Sequence, residues 1–401
     1  MPVWGDDPAV LRCDHRPAAG PEADGRAPGG RAPDGQEPGG RALGGRGPGG
    51  DPETGAARSA AEILAWSRRL FDPAMRDAIE TLPDAMQGIA AYHFGWRDER
   101  GRPLDSAAGA SGKAIRPALV LLTAQAVGGP AAAAVPAAVA VELAHNFSLL
   151  HDDVMDGDVT RRHRPTAWSV FGTGPAVLAG DALLAAAFET LAGEGAAGQA
   201  AAIVPRAVRT LGRAVIELVE GQSADLAFEE RGDVTLDECV AMAYRKTGAL
   251  LGAACALGSD HGGGSAAQTA RLRTFGERLG LAFQLADDLL GIWGDPAVTG
   301  KPVHSDLRTR KKSLPVVAAL NSATPAAHEL AALYLRDEPL TDDDASRAAA
   351  LIDAAGGRAW TTARADAVLA DALRELDAAS PAPVAAAELR TLARLIAHRD
   401  R

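Results

Sequence analysis

Residues Ala131 to Asp156 read AAAAVPAAVAVELAHNFSLLHDDVMD. The preceding turns are apolar and the end is acidic, which predicts one long helix over Ala131–Asp156 that closes on His151-Asp152-Asp153-Val154-Met155-Asp156. Asp152 and Asp156 lie four apart, so they project from one helix face with Asp153 beside them. Like charges at this spacing destabilise a helix, and its C-terminus already repels anions. Something positive must offset both effects. Hard carboxylate oxygens with no thiol or paired histidine nearby suit Mg²⁺, which keeps some waters and also takes substrate phosphates. The plain alternative is a solvated acidic helix end.

Outward from this stretch the pattern is helix after helix. Apolar residues recur at helical spacing at Ala60, Ile63, Leu64 and Trp66, and an Ala/Leu/Val run covers Arg116–Val127. Ala176–Leu191, Ala200–Leu226, Thr235–Leu257 and Ala266–Trp293 read as further long helices, several of them bounded by Gly, Pro, Ser or Thr. No useful alternating strand pattern is present. The composition agrees: 47% of the 401 residues are hydrophobic and only 4% aromatic, with Ala and Leu abundant, which favours helices over sheets. About ten helices in one all-α domain over residues 57–401 is the expectation. Residues 1–56 differ. From Gly25 to Gly50 they repeat a five-residue Gly/Pro/Arg theme with almost nothing to bury, and they read as a disordered tail. Only Val3–Leu11 offers an apolar contact to a partner or a protein shell.

With 41 basic and 52 acidic side chains the net charge is −11, the wrong sign for a duplex nucleic-acid binder. Cys13, Cys239 and Cys255 make neither a disulfide framework nor a Cys/His metal spacing. There is no charge-free apolar run of membrane-spanning length and no basic-then-apolar leader, so a cytoplasmic protein is expected.

A second acidic pair strengthens the metal reading. Phe283-Gln284-Leu285-Ala286-Asp287-Asp288 again ends an apolar helix, and Gly291, Asp295, Gly300 and Lys301 follow. Two aspartate clusters on separate helices of a bundle can face each other across a cavity and hold several Mg²⁺ ions around one diphosphate. Cations accompany them: Lys113 and Arg116 within Ser111-Gly112-Lys113-Ala114-Ile115-Arg116-Pro117, Arg161-Arg162 after the first cluster, and Lys246-Thr247-Gly248 later. His145 lies on the helix of the first cluster. Each of these alone reads as a surface charge. Their joint order around the aspartates does not.

This constellation resembles the polyprenyl synthetase family of trans-prenyltransferases, most closely its geranylgeranyl diphosphate synthases. Asp152-Asp153-Val154-Met155-Asp156 with Arg161-Arg162-His163-Arg164-Pro165-Thr166 is similar to the family's first aspartate-rich motif. Phe283-Gln284 with Asp287-Asp288 is similar to the second, and Gly300-Lys301-Pro302 with Asp306-Leu307 to the segment after it. Four positions depart: Ala114 replaces an arginine, His163 and His304 replace glycines, and Gly291 replaces the aspartate that usually ends the second motif.

The resemblance implies an all-α isoprenoid synthase type I bundle around a central cavity, usually a homodimer. It implies Mg²⁺, about three ions per site, ligated by Asp152, Asp156 and Asp287. Arg161, Lys246 and Lys301 would bind the allylic diphosphate, with Thr247 and Gln284 close by. Lys113, Arg116, His145 and Arg162 would hold isopentenyl diphosphate. Phe147 and Ser148, one turn before Asp152, would set product length. One aromatic at the farther position points to geranylgeranyl diphosphate, with farnesyl diphosphate as runner-up. A class I terpene cyclase is the nearest rival, but its Asn/Ser-Thr/Glu metal motif is missing: Asn321-Ser322-Ala323-Thr324-Pro325 has the wrong spacing. A non-catalytic partner subunit of a prenyl synthase would cite Ala114 and Gly291.

Overall fold

The computed structural model describes residues 57–104, 112–193, 199–296, 302–334, 336 and 338–398. The tail 1–56, Ser111, Gly300 and Lys301 lie outside them. Sixteen α-helices are found among the described residues: α1 Ala60–Glu80, α2 Asp84–His93, α3 Ile115–Ala126, α4 Val135–Met155, α5 Ala167–Phe171, α6 Thr173–Ala192, α7 Gln199–Glu229, α8 Leu236–Ala243, α9 Ala249–His261, α10 Ala266–Trp293, α11 Ser305–Arg308, α12 Leu314–Leu320, α13 Pro325–Tyr334, α14 Asp342–Ala354, α15 Gly357–Ala378 and α16 Pro383–Ala397. The all-α class expected from composition and periodicity is correct.

Local chemistry sets many of the boundaries. Ser59, Thr235, Ser265 and Thr341 open α1, α8, α10 and α14 with capping boxes, each closed by an acid or amide three residues on. The first long helix starts later than its apolar run suggests. Pro136 has no N–H to give the carbonyl of residue 132, so Ala131–Ala134 is a 3₁₀ turn and α4 begins at Val135. The stretch expected as one helix over Thr235–Leu257 is also broken: a π-turn over Tyr244–Gly248 separates α8 from α9.

Along Ala137–Ala144 α4 is buried on every side, and α9 packs against α3, α4, α7 and α10. One apolar core joins α1–α4, α6, α7 and α9, and a second joins α3, α8–α10, α12, α15 and α16. A third, smaller core gathers α11–α14 around Ile292 at the end of α10. The chain entry is clamped as well. Arg58 donates from Nε (2.7 Å) and its backbone N–H (2.9 Å) to Glu388, a carboxylate only 1% exposed, and stacks on Trp66. Two helices, α4 with the turn before it (Ala131–Met155) and α6, are long and apolar enough to cross a membrane by length and composition. The first is a core helix of the bundle; α6 is more exposed.

Candidate active site

The first aspartate motif divides its work by helix face. Asp153 sits on the buried side of α4, 1% exposed, and accepts from Arg161 Nε at 2.6 Å. Asp152 is half-buried and Asp156, the C-cap of α4, is exposed. Burial pushes the Asp152 carboxyl up to about 6; Lys246 works against this, while Asp156 adds to it.

The second motif divides the same way. Asp288 is buried and fully engaged: Gln284 Nε2 donates to Oδ1 at 2.8 Å and the backbone N–H of Leu314 to Oδ2 at 2.9 Å. Burial raises it to about 7, with Lys311 opposing. Asp287, its neighbour, is exposed.

Two lysines join the motifs. Lys246 Nζ donates to Asp225 on α7 at 2.6 Å and also bears on Asp152 and Asp156. Lys311 bears on Asp156 of the first motif and on Asp287 and Asp288 of the second. Burial disfavours its charge, yet Asp306, Asp288, Asp225 and Asp287 together hold the ammonium above its ordinary range. Asp225, which burial would raise, is held below the usual carboxylate range by Lys246 and then Lys311. A single cation felt by both motifs means that the ends of α4 and α10 converge.

Lys246 and Thr247 lie in the π-turn, a distortion frequent at functional sites. α7 approaches it closely: a Cβ at Gly221 would stand 2.3 Å from the Lys246 backbone nitrogen. Thr247 Oγ1 donates to Gln284 Oε1 at 2.7 Å, so Thr247, Gln284 and Asp288 form one chain of partners beside Lys246.

The cations expected for a second anion meet elsewhere. A two-residue hairpin, Thr160–Arg161 (β1) against Arg164–Pro165 (β2), turns through Arg162 and His163, both left-handed at φ 52° and 60°. That is the geometry of a primed turn, here built without the usual Asn or Gly. The turn separates the paired arginines. Arg161 goes to Asp153, whereas the Arg162 guanidinium fills the space over Gly112, beside Lys113. Glu142, buried on α4, is pushed up by burial and drawn down by Arg116 and then Arg162. His145, one turn on, is driven well below its usual range by burial and by Arg116, Arg162 and Arg161, so it is neutral at pH 7. Asn146 links Glu142 to His93: its Nδ2 donates to the Glu142 backbone oxygen at 2.8 Å, and its Oδ1 lies 3.1 Å from His93 Nε2. Phe147 and Ser148 are both buried. Phe147 meets His151 edge-on at 4.8 Å between ring centres, and the Ser148 hydroxyl donates back to the His145 carbonyl at 2.8 Å.

Of the residues singled out from the sequence, Asp152, Asp156, Asp287, Lys246, Thr247 and Gln284 gather at one end of the bundle. Arg116, Arg162 and His145 gather around Glu142, with Lys113 next to Gly112. Lys301 falls outside the described residues. Asp225 and Lys311 were missed. The cue to Asp225 was the stretch Gly221-Gln222-Ser223-Ala224-Asp225 within α7, with no motif to single it out from the other polar residues of that helix.

Among the described residues no three His, Cys, Asp or Glu side chains converge closely enough to hold a metal by themselves. Mg²⁺ takes one or two carboxylates and completes its shell with water and phosphate oxygen. The donor set of Asp152, Asp156 and Asp287 is hard oxygen, which Mg²⁺ prefers. The residues fit the ion. Among the described residues no thiol nucleophile competes: Cys239 and Cys255 are buried, and burial raises both well above the usual thiol range.

The left-handed backbone explains what three of the departures have in common, since Ala114, His163 and His304 all have φ between 50° and 62°. A side chain in that region costs about 1–2 kcal/mol, partly offset because glycine loses about 0.5–1 kcal/mol more entropy on folding. His163→Gly and His304→Gly should therefore each stabilise the protein by about 0.5–1 kcal/mol. A rise in the urea midpoint at unchanged slope checks this.

The chain matches the Polyprenyl synthetase family model over residues 98–352. It is 46% identical over 312 residues to a (2E,6E)-farnesyl diphosphate synthase of Mycobacterium tuberculosis, covering 77% of this chain and 84% of that protein. It is 47% identical over 338 residues to a geranylgeranyl diphosphate synthase of the same organism, covering 84% and 93%. Among solved structures, a polyprenyl synthetase from Streptomyces coelicolor A3(2) superposes with a TM-score of 0.77 at 44% identity, covering 84% of this chain and 99% of that one. A geranylgeranyl pyrophosphate synthetase from Pyrococcus horikoshii Ot3 gives a TM-score of 0.74 at 32% identity, covering 85% and 99%. With two aspartate motifs converging on shared lysines inside an all-helical bundle, the chain belongs to the polyprenyl synthetase family and is a prenyltransferase of the head-to-tail, chain-elongating kind.

Proposed function

We propose that the chain condenses isopentenyl diphosphate with an allylic diphosphate and releases mainly geranylgeranyl diphosphate. Asp152, Asp156 and Asp287 are the Mg²⁺ ligands in this reading, and Lys246, Arg161 and Lys301 hold the allylic diphosphate with them. Lys113, Arg116, Arg162 and the neutral His145 hold isopentenyl diphosphate. Mg²⁺, when bound, neutralises the charge that develops on the departing diphosphate. Lys246 adds a fixed cation at the same place, already oriented by Asp225. The second anchor keeps the isopentenyl double bond in line with the allylic carbon, and the bundle interior keeps water from the cation. No protein nucleophile is needed.

The observation that carries the product assignment is the turn of α4 beneath Asp152. Phe147 lies about 7.5 Å down the helix axis from Asp152, at about 1.5 Å per residue. Its ring is backed by His151, whose Nε2 lies 3.0 Å from the Val177 carbonyl of α6. Ser148 beside it is small, and its hydroxyl is turned back to its own helix. One fixed aromatic with a small neighbour leaves room for a longer tail than two aromatics would. The relative named farnesyl diphosphate synthase keeps the fifteen-carbon product as the alternative.

Chromatography of the dephosphorylated products after incubation with each allylic primer tests the assignment. The twenty-carbon alcohol should dominate. Phe147→Ala should lengthen the products and Ser148→Phe should shorten them to fifteen carbons. Unchanged distributions in both variants would remove this turn as the floor of the cavity.

The same reading includes a homodimer. Leu178 on α6 and Ile216 and Val219 on α7 are 57%, 69% and 50% exposed, an unusual display on two helices that pack together. A second copy seated on them would cover these three exposed apolar side chains.

A further inference from the structure

The π-turn that carries Lys246 and Thr247 begins at Tyr244, and Tyr244 is where the hydrogen-bond register changes. Its backbone N–H still serves α8, closing on the carbonyls of Val240 and Ala241. Its carbonyl accepts from the N–H of Ala249, five residues on, which is the bond that makes the turn wide. Such a turn holds one residue more than a regular helix needs. Returning it to α geometry would shift the turn against its neighbours by one residue, about 100° around the axis and about 1.5 Å along it. That shift would take Lys246 off Asp225 and Thr247 off Gln284.

The wide turn is seated along one stripe of α10. Glu277, Gly280 and Gln284 share a face at helical spacing. At the end nearer the second aspartate motif, Thr247 donates to Gln284. In the middle Gly280 lets the backbones meet, since a Cβ there would stand 2.5 Å from the Gly248 Cα. Two turns before Gln284, the Tyr244 hydroxyl donates to Glu277 Oε2. Glu277 is held in place for this bond. Its side chain is 17% exposed and lies across Gly252 of α9, where a Cβ would stand 2.4 Å from its Cγ, and Arg273 Nη1 stands 4.0 Å from its other oxygen. Burial, and then the bond itself, push the Tyr244 phenol above its ordinary range, so it stays a donor. Neither Tyr244 nor Glu277 belongs to the aspartate motifs or to the cations assigned above.

We propose that the Tyr244–Glu277 pair is a latch that keeps the extra residue in the turn, and that both are positioning residues for the allylic diphosphate without touching it. A hydrogen bond to a charged, mostly buried acceptor is stronger than one between neutral groups, so losing it lets the turn sample its tighter form. Diphosphate affinity then falls in proportion to the fraction of molecules that leave the wide form. The inference rests on the reading of Lys246 and Thr247 given above, because it is their placement that the latch secures.

The test is calorimetric titration of inorganic pyrophosphate, in excess Mg²⁺, into the full chain and its variants, beside amide hydrogen exchange across Tyr244–Ala249. Tyr244→Phe keeps the ring and removes the donor. It should weaken pyrophosphate binding by about fivefold or more and speed exchange of the Ala249 N–H by about tenfold or more. Glu277→Leu should match it, and the double variant should be no more than about twofold weaker than either single, because both break one bond. Glu277→Gln keeps an acceptor and should stay within about threefold of the parent. Affinity for isopentenyl diphosphate should stay within about twofold throughout, which a general loss of structure would not allow. Parent-like pyrophosphate binding in Tyr244→Phe overturns the proposal, as does a double variant whose loss is the product of the two singles. If Glu277→Leu fails to fold, Tyr244→Phe decides alone. A parent chain that takes no pyrophosphate with Mg²⁺ fails the functional reading and this proposal together, whereas a parent that binds beside an indifferent Tyr244→Phe fails the proposal only.

Discussion

Asp152→Ala and Asp287→Ala should each lower turnover about a thousandfold or more, the equivalent of about 4 kcal/mol of barrier, with the helical spectrum unchanged. Both side chains reach outward from helix ends. Asp287 is exposed and Asp152 half-buried, so neither truncation opens a core cavity. Asp152 is already raised by burial and by Asp156, so its removal relieves the protein of repulsion while depriving the transition state of a metal ligand. Asp288→Ala separates the two roles. It strips the Leu314 N–H and Gln284 of their buried acceptor, at about 1–3 kcal/mol for each unpaired group, and so should lower the unfolding midpoint as well as activity. Steady-state kinetics beside urea unfolding of the three variants checks the pattern. Activity within about tenfold of the parent in either Asp152→Ala or Asp287→Ala would refute their assignment as ligands.

That contrast between adjacent aspartates repeats in both motifs. Asp153 turns inward to Arg161 and Asp288 inward to Gln284 and Leu314, while Asp152 is half-buried and Asp287 exposed. The inner acid fixes the frame, and in the proposed reaction the outer one is left to meet the ligand. Spacing alone put Asp152 and Asp156 on one face, but it could not tell which of two neighbours is buried. That depends on what packs against each helix, which is tertiary information.

The same distinction accounts for what the sequence disclosed of the fold. Long apolar runs revealed α4, α6, α7 and α10 because burial of one stripe is a local pattern. The π-turn at Tyr244–Gly248 was invisible in the local pattern, and Gly221, which packs closely against it, sits more than twenty residues away. The hairpin at Thr160–Pro165 was missed for the opposite reason. Its turn is Arg162-His163, with none of the residues that normally announce one, and it is held by Tyr92, whose hydroxyl donates to the Pro165 carbonyl at 2.8 Å and whose own carbonyl accepts from Arg164 at 2.9 Å. Asp225 and Lys311 are single charges on elements with no motif of their own. Only their shared neighbours, on four different elements, give them meaning.

The other large effect should fall on one substrate alone. Arg116→Ala is expected to raise KM for isopentenyl diphosphate by about 10–150-fold, the range that follows from losing about 1.5–3 kcal/mol of charge-assisted hydrogen bonding. KM for the allylic diphosphate should change by less than about threefold, because Lys246, Lys311 and the aspartates form a separate set of neighbours. Lys113→Ala should act in the same direction but less strongly, since Lys113 is exposed and its charge is shared with water. Glu142 supplies the reason for a large response at Arg116. It is a buried carboxylate whose field is opposed by Arg116 first and Arg162 second, so deleting Arg116 removes the foremost cation between it and the incoming diphosphate. Arg116→Lys should recover only part of the loss, because an ammonium restores the charge without the two-pronged contact that a guanidinium makes with phosphate. Equal increases in both Michaelis constants would mean that Arg116 serves the allylic diphosphate, and that Arg162, lying over Gly112, serves it too.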